Sequence, residues 1–150
     1  LPEDTHVFVL NGLYPSAAPL YVGERLMPCL SSIPMLEEWL AACLARNESL
    51  PAALHFDTGI NRLGFRLNEA PVVKRMIDQI GYAPQMIMSH LACADEPQHP
   101  MNRQQLLKFK SSGARVVPHP GVLPLPIDQN AQQSPHPSGS VFRHGQRMRP

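Results

Sequence analysis

Two short stretches hold the residues whose types and spacing could do chemistry. Asp57-Thr58-Gly59-Ile60-Asn61-Arg62-Leu63-Gly64-Phe65 puts a carboxylate, a hydroxyl and a guanidinium into one segment, with Gly59 and Gly64 permitting a tight turn from which Arg62 projects. Ser89-His90-Leu91-Ala92-Cys93-Ala94-Asp95-Glu96 repeats the arrangement with a hydroxyl beside an imidazole. Arginine is a planar, permanently charged fork of donors suited to carboxylates and phosphates. Taken singly, neither stretch is specific. An acidic or hydroxyl residue after a strand often only satisfies loop amides, and a lone histidine such as His90 is more often a satisfied core residue than a ligand.

Both stretches directly follow apolar runs, where a parallel barrel displays its chemistry at the C-terminal ends of its strands. Strands are expected over Val7–Leu10, Leu26–Leu30, Pro51–Asp57 and Gln85–Ser89. Between them run amphipathic stretches, the alternation of βα units that feed a parallel sheet. Ser31, Ser32 and Pro34 supply cap and first-turn chemistry for a helix to about Arg46, with Met35, Leu36, Trp39, Leu40, Cys43 and Leu44 on its buried face. Asn68, Glu69 and Pro71 open a second helix that buries Val72, Val73, Met76, Ile77 and Ile80 and ends at Gly81. Asn102 and Gln105 resemble a capping box for a third helix carrying Leu106, Leu107 and Phe109, fading near Gly113.

With 43% apolar and 17% charged residues the chain has the composition of a folded domain. A net charge of +1 argues against a nucleic-acid partner. Cys29, Cys43 and Cys93, odd in number and widely spaced, suggest neither disulfides nor a zinc site and fit a reducing cytosol. No apolar run reaches the roughly 20 residues of a membrane helix. Leu1-Pro2-Glu3-Asp4 has neither an initiator Met nor a signal-peptide pattern, which predicts a segment cut from a longer protein. After Lys110 the character changes. Seven of the 17 prolines lie between Pro118 and Pro150 and periodicity is lost, so 113–150 is expected to be a disordered tail, basic at Arg143, Arg147 and Arg149. Val116 and Val117 could start one more strand, but Pro118 and Pro120 argue against a central one. The abruptness predicts a truncated or frameshifted reading frame.

The two chemical stretches together resemble alanine racemase, whose pattern is Asp-Thr-Gly-Met-x-Arg-x-Gly after one barrel strand and Ser-His-(Leu/Phe)-Ala-x-Ala-Asp after the next. Val9-Leu10-Asn11-Gly12-Leu13, Met27-Pro28, Gln104-Gln105 and Phe109 extend the likeness over about residues 4–110. The resemblance implies an α/β fold, here about four βα units of a (β/α)8 barrel over residues 1–112. It further implies pyridoxal 5'-phosphate as cofactor, a C-terminal β domain, a homodimer, and interconversion of L-alanine and D-alanine for peptidoglycan. By the same resemblance Arg62 contacts the cofactor's phenolic oxygen and the substrate carboxylate. His90 lies near the cofactor ring and helps to hold a second arginine, which no residue here matches.

Two positions depart from the family pattern. Ile60 replaces the usual Met, and His55 stands where many members carry a carbamylated lysine that props the arginine, so Arg62 needs another support such as a bound anion. The family's cofactor-holding lysine and its tyrosine base are not found. Lys74, Lys108 and Lys110 are expected on outer helices, and Tyr14, Tyr21 and Tyr82 match nothing catalytic. By itself the chain is therefore expected to hold no cofactor covalently and to racemise nothing. The rival readings are a non-catalytic fragment that binds a partner through open strand edges and, within the family, a broader amino-acid racemase.

Overall fold

Apolar runs too short for helices become strands here, and the amphipathic stretches between them become helices that cover one side of the sheet. The computed structural model describes residues 5–112 and residue 116. In chain order the elements are β1 (Val7–Val9), α1 (Ala18–Gly23), β2 (Leu26–Leu30), α2 (Ile33–Arg46), β3 (Ala53–Asp57), β4 (Phe65–Arg66), α3 (Ala70–Ile80), β5 (Met86–Met88) and α4 (Pro100–Ser112). A single 3-10 turn over Leu67–Glu69 precedes α3. Every pairing is parallel: β1 with β2, β2 with β3, and β3 with both β4 and β5. Four βα units thus follow one another, with β4 a two-residue addition at the end of β3.

Along β2 the partner changes. Val9 of β1 lies opposite Pro28, and from the next residue Cys29 pairs with Ala53 of β3. Pro28 is fully buried and has no N–H for a ladder.

The two faces of the sheet differ because side chains alternate along a strand. Leu30, Leu54, Phe56 and Ile87 point into the core shared with the helices, where they meet Leu36, Trp39, Val73 and Ile77. Met27, Cys29, Ala53 and His55 alternate with them and lie outside that cluster, yet all four are buried. Leu50 fixes the entry to β3, its carbonyl accepting from Trp39 Nε1 at 3.3 Å and from the Tyr82 hydroxyl at 2.9 Å.

The helices match their sequence signals with specific corrections. Ser32 holds the N-cap of α2 in extended backbone with Pro34 in the first turn, but its hydroxyl makes no capping bond. Leu44, expected in the buried stripe, is 61% exposed. At roughly 100° per residue it lies about 140° round the helix from Trp39. Val72, expected to be buried, is likewise exposed on α3, and Leu107 is exposed on α4. Asn68 and Glu69 form the 3-10 turn rather than the helix itself, and Glu69 Oε2 accepts from Arg66 N at 2.7 Å. Gly81 ends α3 at φ 65°, as its position predicts. The start of α4 is also corrected. The helix begins at Pro100, so Asn102 lies inside it, and its Nδ2 donates to the carbonyls of Cys93 and Glu96, both at 2.9 Å.

The six-residue α1 had no sequence expectation. Glu38 of α2 secures its start by accepting from Ser16 N and Ala18 N. The tail expected over 113–150 falls outside the described residues except for Val116, which is fully buried in the core. The three cysteines are free thiols, with Cys29 and Cys43 buried. Among the described residues no helix is long and apolar enough to cross a membrane.

Candidate active site

Asp57 ends β3, and its carboxylate shapes the loop beyond: Oδ1 accepts from Gly59 N at 2.8 Å and from Asn61 N at 3.2 Å, an Asx-type turn. The loop must close fast enough for Phe65 and Arg66 to pair with Phe56 and Asp57. Gly64 makes that possible. Its φ is 126°, and a Cβ there would lie 2.5 Å from Asp57 N, so only glycine fits. Arg62 rides on this turn, exposed, and makes no hydrogen bond or ion pair with a described residue.

The second loop leaves β5 with Ser89 and His90. Thr58, almost wholly buried, shares a 2.8 Å hydrogen bond between its hydroxyl and that of Ser89, joining the two loops. His90 is exposed. His55, two residues before Asp57 on the same face of β3, is 5% exposed, and its Nε2 is buried without a hydrogen-bond partner among the described residues. Its pKa lies below the ordinary imidazole value because burial disfavours the cation. His90 and Arg62 act in the same direction, and Asp57 opposes them. His55, Asp57, Arg62 and His90 therefore share one electrostatic neighbourhood. With Asp57 Oδ1 engaged by loop amides and Arg62 unpaired, the neighbourhood suits an anionic oxygen-bearing ligand.

The structure brings Arg62 and His90, the two sequence-expected site residues, to adjacent strand ends. The lysines lie elsewhere: Lys74 sits on α3 paired with Asp78 at 2.6 Å, and Lys108 and Lys110 are exposed on α4. Tyr21 and Tyr82 spend their hydroxyls on the carbonyls of Gly12 and Leu50, and Tyr14 is 60% exposed. Sequence reasoning missed Gln105. A glutamine three residues after an asparagine reads as cap chemistry, yet this one is 1% exposed between the two loops. Its signal in the sequence was the neighbouring pair of loops it serves, which spacing alone does not reveal.

The family profile described as alanine racemase, N-terminal domain, matches residues 2–124. The chain belongs to the alanine racemase family. The alanine racemase of Rhodospirillum rubrum is 38% identical over 116 residues, 77% of this chain and 31% of that protein. That of Methylobacterium sp. strain 4-46 is 43% identical over 109 residues, 73% of this chain and 30% of that protein. The crystal structure of alanine racemase from Bartonella henselae with covalently bound pyridoxal phosphate superposes with a TM-score of 0.72 at 30% identity, covering 79% of this chain and 35% of that one. The fold is thus the α/β arrangement of the alanine racemase N-terminal barrel domain, and the chain spans about a third of the length of the relatives it matches. The match also runs past Lys110, where the sequence pattern alone lost the alanine racemase likeness, and buried Val116 lies within that extension.

Proposed function

We propose that this chain is the part of a pyridoxal 5'-phosphate-dependent alanine racemase that faces cofactor and substrate, in an enzyme that interconverts L-alanine and D-alanine. One observation carries the reading: an unpaired Arg62 stands at the strand ends beside His90 and the buried, unpartnered Nε2 of His55, inside a segment of alanine racemase sequence. These groups fit the cofactor on its oxygen-bearing side. Arg62 would hold the phenolic oxygen and the substrate carboxylate through separate arms of its fork, and His90 would lie against the ring. When bound, the cofactor supplies the electron sink for a carbanion at the α-carbon. The residues described here bind and orient; the lysine that holds the cofactor and the opposing tyrosine base match no position in this chain. We read 1–112 as the barrel segment and 113–150 as a proline-rich tail that begins against its core at Val116, and assign the enzyme to the cytoplasm as a homodimer serving cell-wall synthesis.

The placement of all three lysines on α3 and α4 favours one second reading, a non-catalytic segment that pairs with a partner through its open strand edges. Arg62→Lys tests the first. In a chimera that supplies the remaining barrel strands and β domain, it keeps the charge and removes the fork. We expect kcat/KM for alanine to fall on the order of 100-fold, with melting temperature unchanged. Unchanged kcat/KM in well-folded protein would rule out the role assigned to Arg62.

A further inference from the structure

The two loops that carry Arg62 and His90 leave different strands, and one side chain from a third element touches both. Gln105 of α4 donates from Nε2 to Thr58 Oγ1 at 3.0 Å and to the carbonyl of His90 at 3.0 Å, and its Oε1 accepts from Ala92 N at 2.9 Å. Two donors and one acceptor are thereby used in a site that is 1% exposed. The same helix presses on the first loop at Gly59, where a Cβ would come within 3.3 Å of Met101 Cε and 3.5 Å of Gln105 Cγ.

A fully buried polar side chain on an otherwise amphipathic helix is destabilising unless its hydrogen bonds are met. Only a primary amide meets this set. Ionised glutamate has no donor, and methionine, though close in size, has neither donor nor acceptor. A packing role needs the volume alone, whereas here the hydrogen-bonding pattern is matched atom for atom across two loops that are 31 residues apart at Thr58 and Ser89.

We infer that Gln105 is a positioning residue: its amide locks the Arg62 loop to the His90 loop and so sets the spacing at which the two side chains meet a ligand. The consequence for catalysis rests on the reading of Arg62 and His90 given above. The lock itself does not, and the two can fail separately.

Amide hydrogen exchange on the 150-residue chain tests the lock without reference to activity. In Gln105→Met, the amides of Gly59, Asn61 and Ala92 should all lose protection, by roughly tenfold or more, as expected when a buried amide loses its partner. Leu54 and Phe56 in β3 should keep theirs. Gln105→Glu, which keeps an acceptor for Ala92 N but loses both donors, should lose protection at Gly59 and Asn61 at neutral pH and regain it in acid, where the protonated carboxyl recovers a donor. Full protection in both loops of folded Gln105→Met, or loss confined to the Ala92 side, would overturn the inference. If Gln105→Met does not fold, Gln105→Glu decides through its pH profile, and a flat profile counts against the lock. Should the lock hold while the Arg62→Lys chimera keeps full activity, the functional reading has failed and the positioning inference stands.

Discussion

Leu54 and Phe56 on β3 obey different rules from His55 and Asp57, which alternate with them. The first pair points into the helix-covered core, where apolar surface is removed from water and Phe56 packs on Phe65 with ring centroids 5.3 Å apart. The second pair faces the other side, toward the proposed site, where His55 is buried with Nε2 lacking a partner among the described residues and Asp57 Oδ1 is committed to the turn that follows. One strand therefore holds the fold together with one set of side chains and, at His55, gives up stability with the other. That pattern is expected where a site must keep donors and charges free for a ligand.

Three substitutions sharpen or break this contrast. Phe56→Ala should act most strongly, lowering the unfolding free energy by about 3–5 kcal/mol through lost burial and a cavity against Phe65, read from urea denaturation. A loss under about 1 kcal/mol would mean that the helix-covered face is not the stabilising one. Gly64→Ala comes next. Forcing a Cβ against Asp57 N at φ 126° should cost about 1–3 kcal/mol, with the denaturation midpoint falling accordingly.

His55→Leu should have the smallest effect and the opposite sign. Replacing a buried imidazole whose Nε2 has no partner among the described residues with an apolar side chain is expected to raise stability by about 1 kcal/mol near neutral pH. The gain should grow in acid. Because the folded pKa of His55 is lowered, the unfolded chain binds its proton first as pH falls below about 6.5, and stability is lost between that value and the folded pKa. His55→Leu removes that loss. Equal stability differences at pH 7.5 and pH 5 would show that His55 is not held neutral by its surroundings.

The same division explains what could be read in advance. β2 matched its expected bounds and α2 came within a residue, because a one-and-four apolar stripe preceded by Ser32 and Pro34 leaves few alternatives. Arg62 and His90 were singled out through their flanking motifs, and the structure places them after the adjacent strands β3 and β5. The six-residue α1 lacks enough length for a periodic signal, and β4 is two residues held by the tight turn at Gly64. At α4 the polar residues misled. Asn102 and Gln105 have cap chemistry at cap spacing, but their amides reach across to the loops after β5 and β3. Amides serve helix ends and distant carbonyls equally well, and only the tertiary arrangement decides between them.

Pro28 has a geometric consequence. It sits where β2 stops pairing with β1 and begins to pair with β3, the point along the strand at which a missing donor interrupts least. The handover offsets each strand lengthwise against the next, and such stagger tilts the strands of a closed barrel relative to its axis. An imino acid at this joint therefore suits a wall whose strands are staggered against one another.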